Sequence, residues 1–443
     1  MTSNPWPYPH HPVTSKHQHL EGPHMLTVEQ NEELTRVGPG TPMGELLRRY
    51  WYPMAFEQDF DSVPTKTVRL LSEDWTLFKT PKSGKYGIVA EHCPHRSASL
   101  TYGVVHEDGI RCGYHGWKWD FEGNCVEQPA EADNQNFRDR VKQKVGKAQV
   151  MGGMVWVYVG PDPAPELPRF DVFVMDGIKD CGYATLPCNW LQIMENSVDP
   201  HHVEWLHGYY FNFMGETQGF DAPKSFQKKH LKTGFEEMEW GILKRRVLEG
   251  GSEENDDWKV GHPLVFPFYM RVGGAGIDQM QIRVPVDDTT TWKLFYSNHA
   301  PTGGQWEQQD RPVFYEYFWR DDQGRFITDY IEGQDIMAWV SQGAVTDRTQ
   351  EHLGRSDAGV AMLRKMFKEN MKKVANGEDP IGTVREPHDI IPLPCERDKF
   401  GAEREFAEAF ITMGSMRYSP QKQQLLDLHA DAWARREKAS ASA

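Results

Sequence analysis

The chain has 443 residues, enough for two or three domains, and its 15 Trp and 12% aromatic content can fill a sizeable core. With 49 Lys and Arg against 64 Asp and Glu the net charge is −15, which argues against nucleic acid or an anionic membrane as partner. No apolar run reaches the roughly 18 residues of a transmembrane helix, no apolar leader opens the chain, and the six Cys show no disulfide framework, so a reducing cytoplasm is the expected location.

Residues 1–24 are rich in Pro and His and lack periodicity, and read as a disordered extension. Residues 25–53 read as a helical segment, with helices expected over 27–35 and 43–50, broken by Gly38-Pro39-Gly40. Residues 54–165 form a module of short strands: Thr67–Leu71, Trp75–Lys79, Tyr86–Glu91, Gly109–Cys112, Lys118–Asp120 and Gly153–Val159. The Pro-rich run 160–165 is a stiff exit into the last domain, 166–443. There an antiparallel sheet is expected from Glu237–Leu248, Leu264–Val272, Gln279–Val286 and Thr291–Asn298. Helices flank it over 190–206, 334–341, 357–375 and 420–438.

Two hooks sit on loops of the strand module: Cys93-Pro-His95, then, after 16 residues, Cys112-Gly-Tyr-His115. Two thiolates and two imidazoles so spaced suit a Rieske [2Fe–2S] cluster, with Cys93 and Cys112 on one iron and His95 and His115 on the other. A zinc Cys2His2 site is disfavoured, because zinc fingers group like ligands whereas each hook here mixes the two. Downstream, Asp199-x2-His202-x4-His207 offers a second metal site. His202 and His207 lie about 140° apart on an ideal helix, so they converge only if the helix bulges or unwinds between them. Two His and a distant carboxylate make the facial triad of a non-haem Fe(II) oxygenase. His202 is preferred to His201, and Asp335 is chosen as the third ligand, with Asp347 and Glu332 as alternatives.

These motifs, with the opening 25–51 and the stretch from Gln334-Asp335 through Gly343–Gly354, resemble the α-subunits of Rieske non-haem iron ring-hydroxylating oxygenases, in the phthalate dioxygenase branch. The resemblance spans nearly all of residues 25–440. It implies an α+β fold, a Rieske β-domain followed by a helix-grip catalytic domain. It implies Asp335 as third ligand of a mononuclear Fe(II), a homo-oligomer (trimer or hexamer), and Asp199 as the electron-transfer bridge from His115 of a neighbouring subunit. No Rossmann or flavin fingerprint is present, so a separate NAD(P)H-dependent reductase with flavin and ferredoxin domains must supply electrons. The substrates expected are O2 and an aromatic carboxylic acid, undergoing ring hydroxylation or, alternatively, O-demethylation of a methoxylated lignin-type acid. A Rieske electron carrier without oxygenase activity is the distant alternative, and it leaves the second motif unexplained. Arg245, Arg246, Arg283 and Phe268 are the candidate substrate-binding residues, with Arg245 and Arg246 on opposite strand faces.

Overall fold

The structure is a computed structural model that describes residues 26–441, apart from 132, 134 and 402. The expected extension over 1–24 lies outside the described residues. Helices Val28–Thr35 and Pro42–Leu47 each start on a Thr cap. Thr27 forms a reciprocal capping box with Gln30, and Thr41 accepts from the Gly44 N–H with Pro42 in the first turn. These helices are laced to the C-terminal half: Asn31 Nδ2 donates to Thr346 O and Asn189 Nδ2 to Thr35 O, both at 3.0 Å.

Ten short strands follow: β1 (Tyr52–Phe56), β2 (Thr65–Leu70), β3 (Glu73–Lys79), β4 (Tyr86–Ala90), β5 (Val104–His106), β6 (Gly109–Arg111), β7 (Lys118–Trp119), β8 (Cys125–Glu127), β9 (Val145–Met151) and β10 (Met154–Tyr158). They build a six-stranded sheet in the order β1-β10-β9-β4-β3-β2 and a separate meander β5-β6-β7-β8. Sequence patterning missed β1, β5, β8 and β9. β1 is buried throughout and starts inside the segment read as helical, β5 and β8 are three residues long, and most of β9 is only half-buried, so no period shows.

The last eight strands are β11 (Ile178–Leu186), β12 (His230–Met238), β13 (Gly241–Leu248), β14 (His262–Val265), β15 (Tyr269–Gly274), β16 (Ile277–Asp287), β17 (Thr290–His299) and β18 (Val313–Glu316). They form one sheet in the order β12-β13-β14-β15-β16-β17-β11-β18, antiparallel except where β18 runs parallel to β11. Two expected strands are hairpins. Glu237–Leu248 folds back at Gly241, whose φ is +147° and where a Cβ would sit 2.2 Å from Leu264 O. Leu264–Val272 turns between β14 and β15. Among the described residues no helix is long and apolar enough to cross a membrane.

One continuous core joins the N-terminal helices, the six-stranded sheet and the large sheet. Tyr52 stacks on Phe268 at 4.5 Å, Phe56 stacks on Phe314 at 3.9 Å, and Tyr269 Oη donates to Trp51 O. Phe268 is therefore a fully buried packing residue at this junction. That corrects the expectation that it faces substrate.

The helix Trp190–Val198 is amphipathic and starts on an Asn189 cap. It stops at Asp199, whose ψ of 120° is the extended conformation that a following proline favours. The chain re-enters helix at His201 and runs as a π-helix over Val203–Tyr210, then as the α-helix Phe211–Gln218. The continuous helix expected over 190–206 is thus interrupted, and the bulge needed between His202 and His207 is present. Glu195 pins the first helix: Arg348 grips its carboxylate through Nε and Nη2, and Arg364 Nε donates to it at 2.7 Å.

Candidate metal centres and their cavity

The two Cys/His hooks are copies of one turn. Ser97 N–H donates to Cys93 O (2.8 Å) and Gly116 N–H donates to Cys112 O (3.0 Å). Each turn ends in a left-handed residue, Ser97 at φ +56° and Gly116 at φ +76°. Both Cys are buried, at 1% and 3% exposure, while His95 and His115 are half-buried. The imidazole rings lie 4.5 Å apart, and His95 stacks flat on Trp117 at 4.3 Å. Two free buried thiols beneath two adjacent, more exposed imidazoles suit a cluster with its thiolate iron inside and its imidazole iron towards the surface.

In the second domain His202, His207 and Asp335 each bring a ligand atom within 4.8 Å of the other two. Asp335 sits in the first turns of the helix Ile331–Ser341, packed beside the π-helix. Its Oδ1 lies 3.2 Å from His207 Nε2 and 3.8 Å from His202 Nε2, and is buried without a hydrogen-bond partner. His207 Nδ1 lies 2.9 Å from Gln334 Oε1, while Gln334 Nε2 donates to Thr328 O. The amide orientation therefore puts the imidazole proton on Nδ1 and leaves the Nε2 lone pair towards Asp335. A carboxylate and two imidazoles with converging free atoms fit a divalent iron. The alternatives drop out: Glu332 accepts from Ser415 N–H and Oγ, and Asp347 accepts from Thr349.

Asp199 caps the segment it opens, accepting from His201 N–H at 2.8 Å and from His202 N–H at 3.2 Å. Its Oδ2 lies 3.6 Å from His202 Nδ1. Burial pushes this carboxyl up, but His202 and the backbone donors outweigh it and hold it at about 2.

A cleft of about 90 Å³ opens over this triad. One side is apolar, with Phe226, Val272, Ile331, Phe400 and Phe410. The other carries Lys244 and Arg246 of β13, His262 of β14 and Arg283 of β16. Lys244 Nζ donates to Ser197 O at 2.9 Å, and burial lowers its amine to about 7. Arg246 Nε pairs with Asp257 at 2.8 Å, but its Nη2 and both nitrogens of His262 lack hydrogen-bond partners. Arg283 is fully buried on neutral acceptors, Gln281 and Ser197, and burial lowers it to about 9. Arg245 points the other way, onto Trp258 O, Lys259 O and Glu236, which removes it from the candidate set. Sequence reading missed Lys244 and His262; the available signal was the alternation that places Lys244 on the face of Arg246. A roomier cleft of about 490 Å³ near Gly152 and Trp306 holds none of the clusters of metal-ligating side chains found among the described residues.

Comparison with known proteins agrees with this geometry. The Rieske [2Fe-2S] domain family matches residues 50–142, and the LigXa C-terminal domain-like family matches residues 283–393. The 5,5'-dehydrodivanillate O-demethylase oxygenase subunit of Sphingobium sp. is 42% identical over 379 residues, 84% of this chain and 87% of that one. The phthalate 4,5-dioxygenase oxygenase subunit of Pseudomonas putida is 31% identical over 412 residues, 81% and 89% of the two chains. The oxygenase of carbazole 1,9a-dioxygenase, solved in complex with ferredoxin, shares the fold at a TM-score of 0.53 and 18% identity, over 82% of this chain and all of that one. Likeness of this extent makes the chain a member of the Rieske non-haem iron oxygenases: it is a terminal oxygenase subunit whose cofactors are a [2Fe–2S] Rieske cluster and a mononuclear iron.

Proposed function

We propose that this subunit O-demethylates a methoxylated aromatic carboxylic acid at the triad His202, His207 and Asp335. The observation that carries the reading is the cleft itself, where buried cations with unspent hydrogen-bond donors face an apolar wall beside the triad. An aromatic ring suits the apolar side. A carboxylate suits Lys244 and the free Nη2 of Arg246, with Arg283 as a second buried cation. The 42% likeness to an O-demethylase oxygenase subunit, against 31% to a phthalate dioxygenase subunit, favours demethylation over ring hydroxylation. Ring hydroxylation of an aromatic acid is the second reading, and the same site serves it.

In the proposed reaction O2, two electrons and two protons convert Ar–OCH3 to Ar–OH, formaldehyde and water. One oxygen atom enters a methyl C–H bond, and the hemiacetal so formed collapses. The cluster, held by Cys93, His95, Cys112 and His115, and the iron supply electron delivery and O2 activation. The residues supply placement. Lys244 and Arg246 hold the carboxylate, the apolar wall excludes water, and Gln334 fixes the tautomer of His207. In this reading Asp199 links His202 to His115 of a neighbouring subunit, and the working unit is a homo-oligomer supplied by a separate NAD(P)H-dependent reductase in the cytoplasm.

The test combines the subunit with a reductase, NADH and a panel of methoxylated and plain aromatic acids. Formaldehyde with loss of CH2 from the acid marks demethylation, whereas a gain of two oxygens and two hydrogens marks dihydroxylation. Asp335→Ala is expected to abolish turnover while keeping the visible Rieske spectrum, and an active Asp335→Ala enzyme refutes the triad. Lys244→Met is expected to raise KM for the acid at least tenfold with a smaller effect on kcat, and an unchanged KM refutes the carboxylate anchor.

A further inference from the structure

A second cluster of metal-ligating side chains stands beside the triad and shares no residue with it. His201, Glu204 and His230 each bring one ligand atom within 4.8 Å of the other two. His201 and Glu204 are i,i+3 neighbours, the first just before His202 and the second between His202 and His207. His230 is the first residue of β12, the edge strand of the large sheet.

The cluster is built into the fold. The His230 side chain is 1% exposed and that of Glu204 12%. Glu204 Oε2 accepts from His230 N–H at 2.9 Å and lies 3.3 Å from His230 Nδ1. Nδ1 is thus the ring nitrogen turned to the carboxylate, and it offers a lone pair to the cluster when the proton sits on Nε2, which is buried with no hydrogen-bond partner. The His201 ring lies 5.2 Å from the His230 ring.

We propose that His201, Glu204 and His230 form a second divalent-metal site that takes zinc, separate from the oxygenase iron. Two imidazoles and one carboxylate are a zinc donor set, and the half-buried position of His201 leaves a fourth place for water. The ion ties the turn that spaces His202 from His207 to the edge of the large sheet. Its role is to fix that spacing. The inference needs only these three side chains and stands whatever the substrate of the oxygenase.

The experiment equilibrates the intact iron-loaded protein with Zn2+, removes unbound metal by gel filtration and measures zinc and iron together. Wild type is expected to retain one zinc per subunit with its iron undiminished, and to gain thermal stability. His201→Ala and Glu204→Gln are each expected to lose the zinc and the thermal gain while keeping the Rieske absorbance. Asp335→Ala is expected to lose the mononuclear iron and keep the zinc. Wild type that binds no zinc at micromolar concentration overturns the proposal. So does zinc retained at wild-type level in both His201→Ala and Glu204→Gln. Zinc lost in Asp335→Ala but kept in the other two places it in the iron site and also overturns the proposal, while leaving the oxygenase reading intact.

Discussion

Replacing Gln334 by Leu isolates the contribution of a residue that touches no metal. Gln334 Oε1 receives the Nδ1 proton of His207 at 2.9 Å, and its own Nε2 is committed to Thr328 O at 3.0 Å. Leu keeps the volume and removes both bonds. The His207 ring is 4% exposed, so water cannot replace the lost acceptor, and the ring is free to take the other tautomer. In that tautomer Nε2 carries the proton and faces Asp335 as a donor, which blocks it as a ligand. Loss of such an outer partner costs about 10–100-fold in metal affinity, or about 1.4–2.7 kcal/mol. The assay is Fe(II) titration of protein stripped of its mononuclear iron, read by metal analysis, with the Rieske absorbance as internal reference. Gln334→Glu should hold iron at least as well as wild type, because a carboxylate is a stronger acceptor for the Nδ1 proton. Wild-type iron affinity in Gln334→Leu would falsify the tautomer argument.

Glu195→Ala strips its charge partner from Arg348, which is 0% exposed, and half the partners from Arg364. A loss of about 3–5 kcal/mol is expected in urea unfolding. Glu195→Leu with Arg348→Met should recover most of it, and a loss below about 1 kcal/mol in the single variant contradicts the network's role. Burial raises the Asp180 carboxyl from 3.8 to about 7. Its folded value exceeds its unfolded one, so its contribution is complete below pH 4 and is lost as pH rises to about 7, by at most about 4 kcal/mol. Asp180→Asn should therefore flatten the fall in stability between pH 4 and pH 7 in thermal melts, and an unchanged slope refutes the assignment. Gly208→Ala places a Cβ 2.7 Å from Phe226 O, so it should destabilise the π-helical segment and lower iron content together; a loss of stability with full iron separates the two.

The Rieske hooks were legible because their chemistry is local: each ligand pair sits within one turn, and the turn's closing Gly or Ser follows directly. The triad was half legible. Residue spacing demanded a bulge between His202 and His207, but Asp335 was chosen over Glu332 and Asp347 only for the apolar helical run it opens, and resemblance to the family strengthened that choice. The substrate cleft was least legible. Strand alternation separated Arg245 from Arg246 but could not say which faced inward, because the hairpin at Gly241 and the curvature of the large sheet decide that. Phe268 failed for the same reason: β14 and β15 were read as one strand, and their turn sends its side chain onto Tyr52.

Some of the buried polar atoms without partners lie at the cleft. Asp335 Oδ1, Arg246 Nη2, Arg283 Nε and both nitrogens of His262 belong to residues lining the cleft over the triad. Each such atom costs about 1–3 kcal/mol if nothing binds it. A fold tolerates that only where rigid surroundings hold the groups in place. Here the Arg348–Glu195–Arg364 network fixes the helix that leads into Asp199, and the core shared with the six-stranded sheet fixes the strands. On the proposed function the cost is recovered when iron takes the Asp335 atom and an acid takes the cations. The cleft is therefore organised before its ligands arrive, which is the condition for aiming one bond of a substrate at one metal.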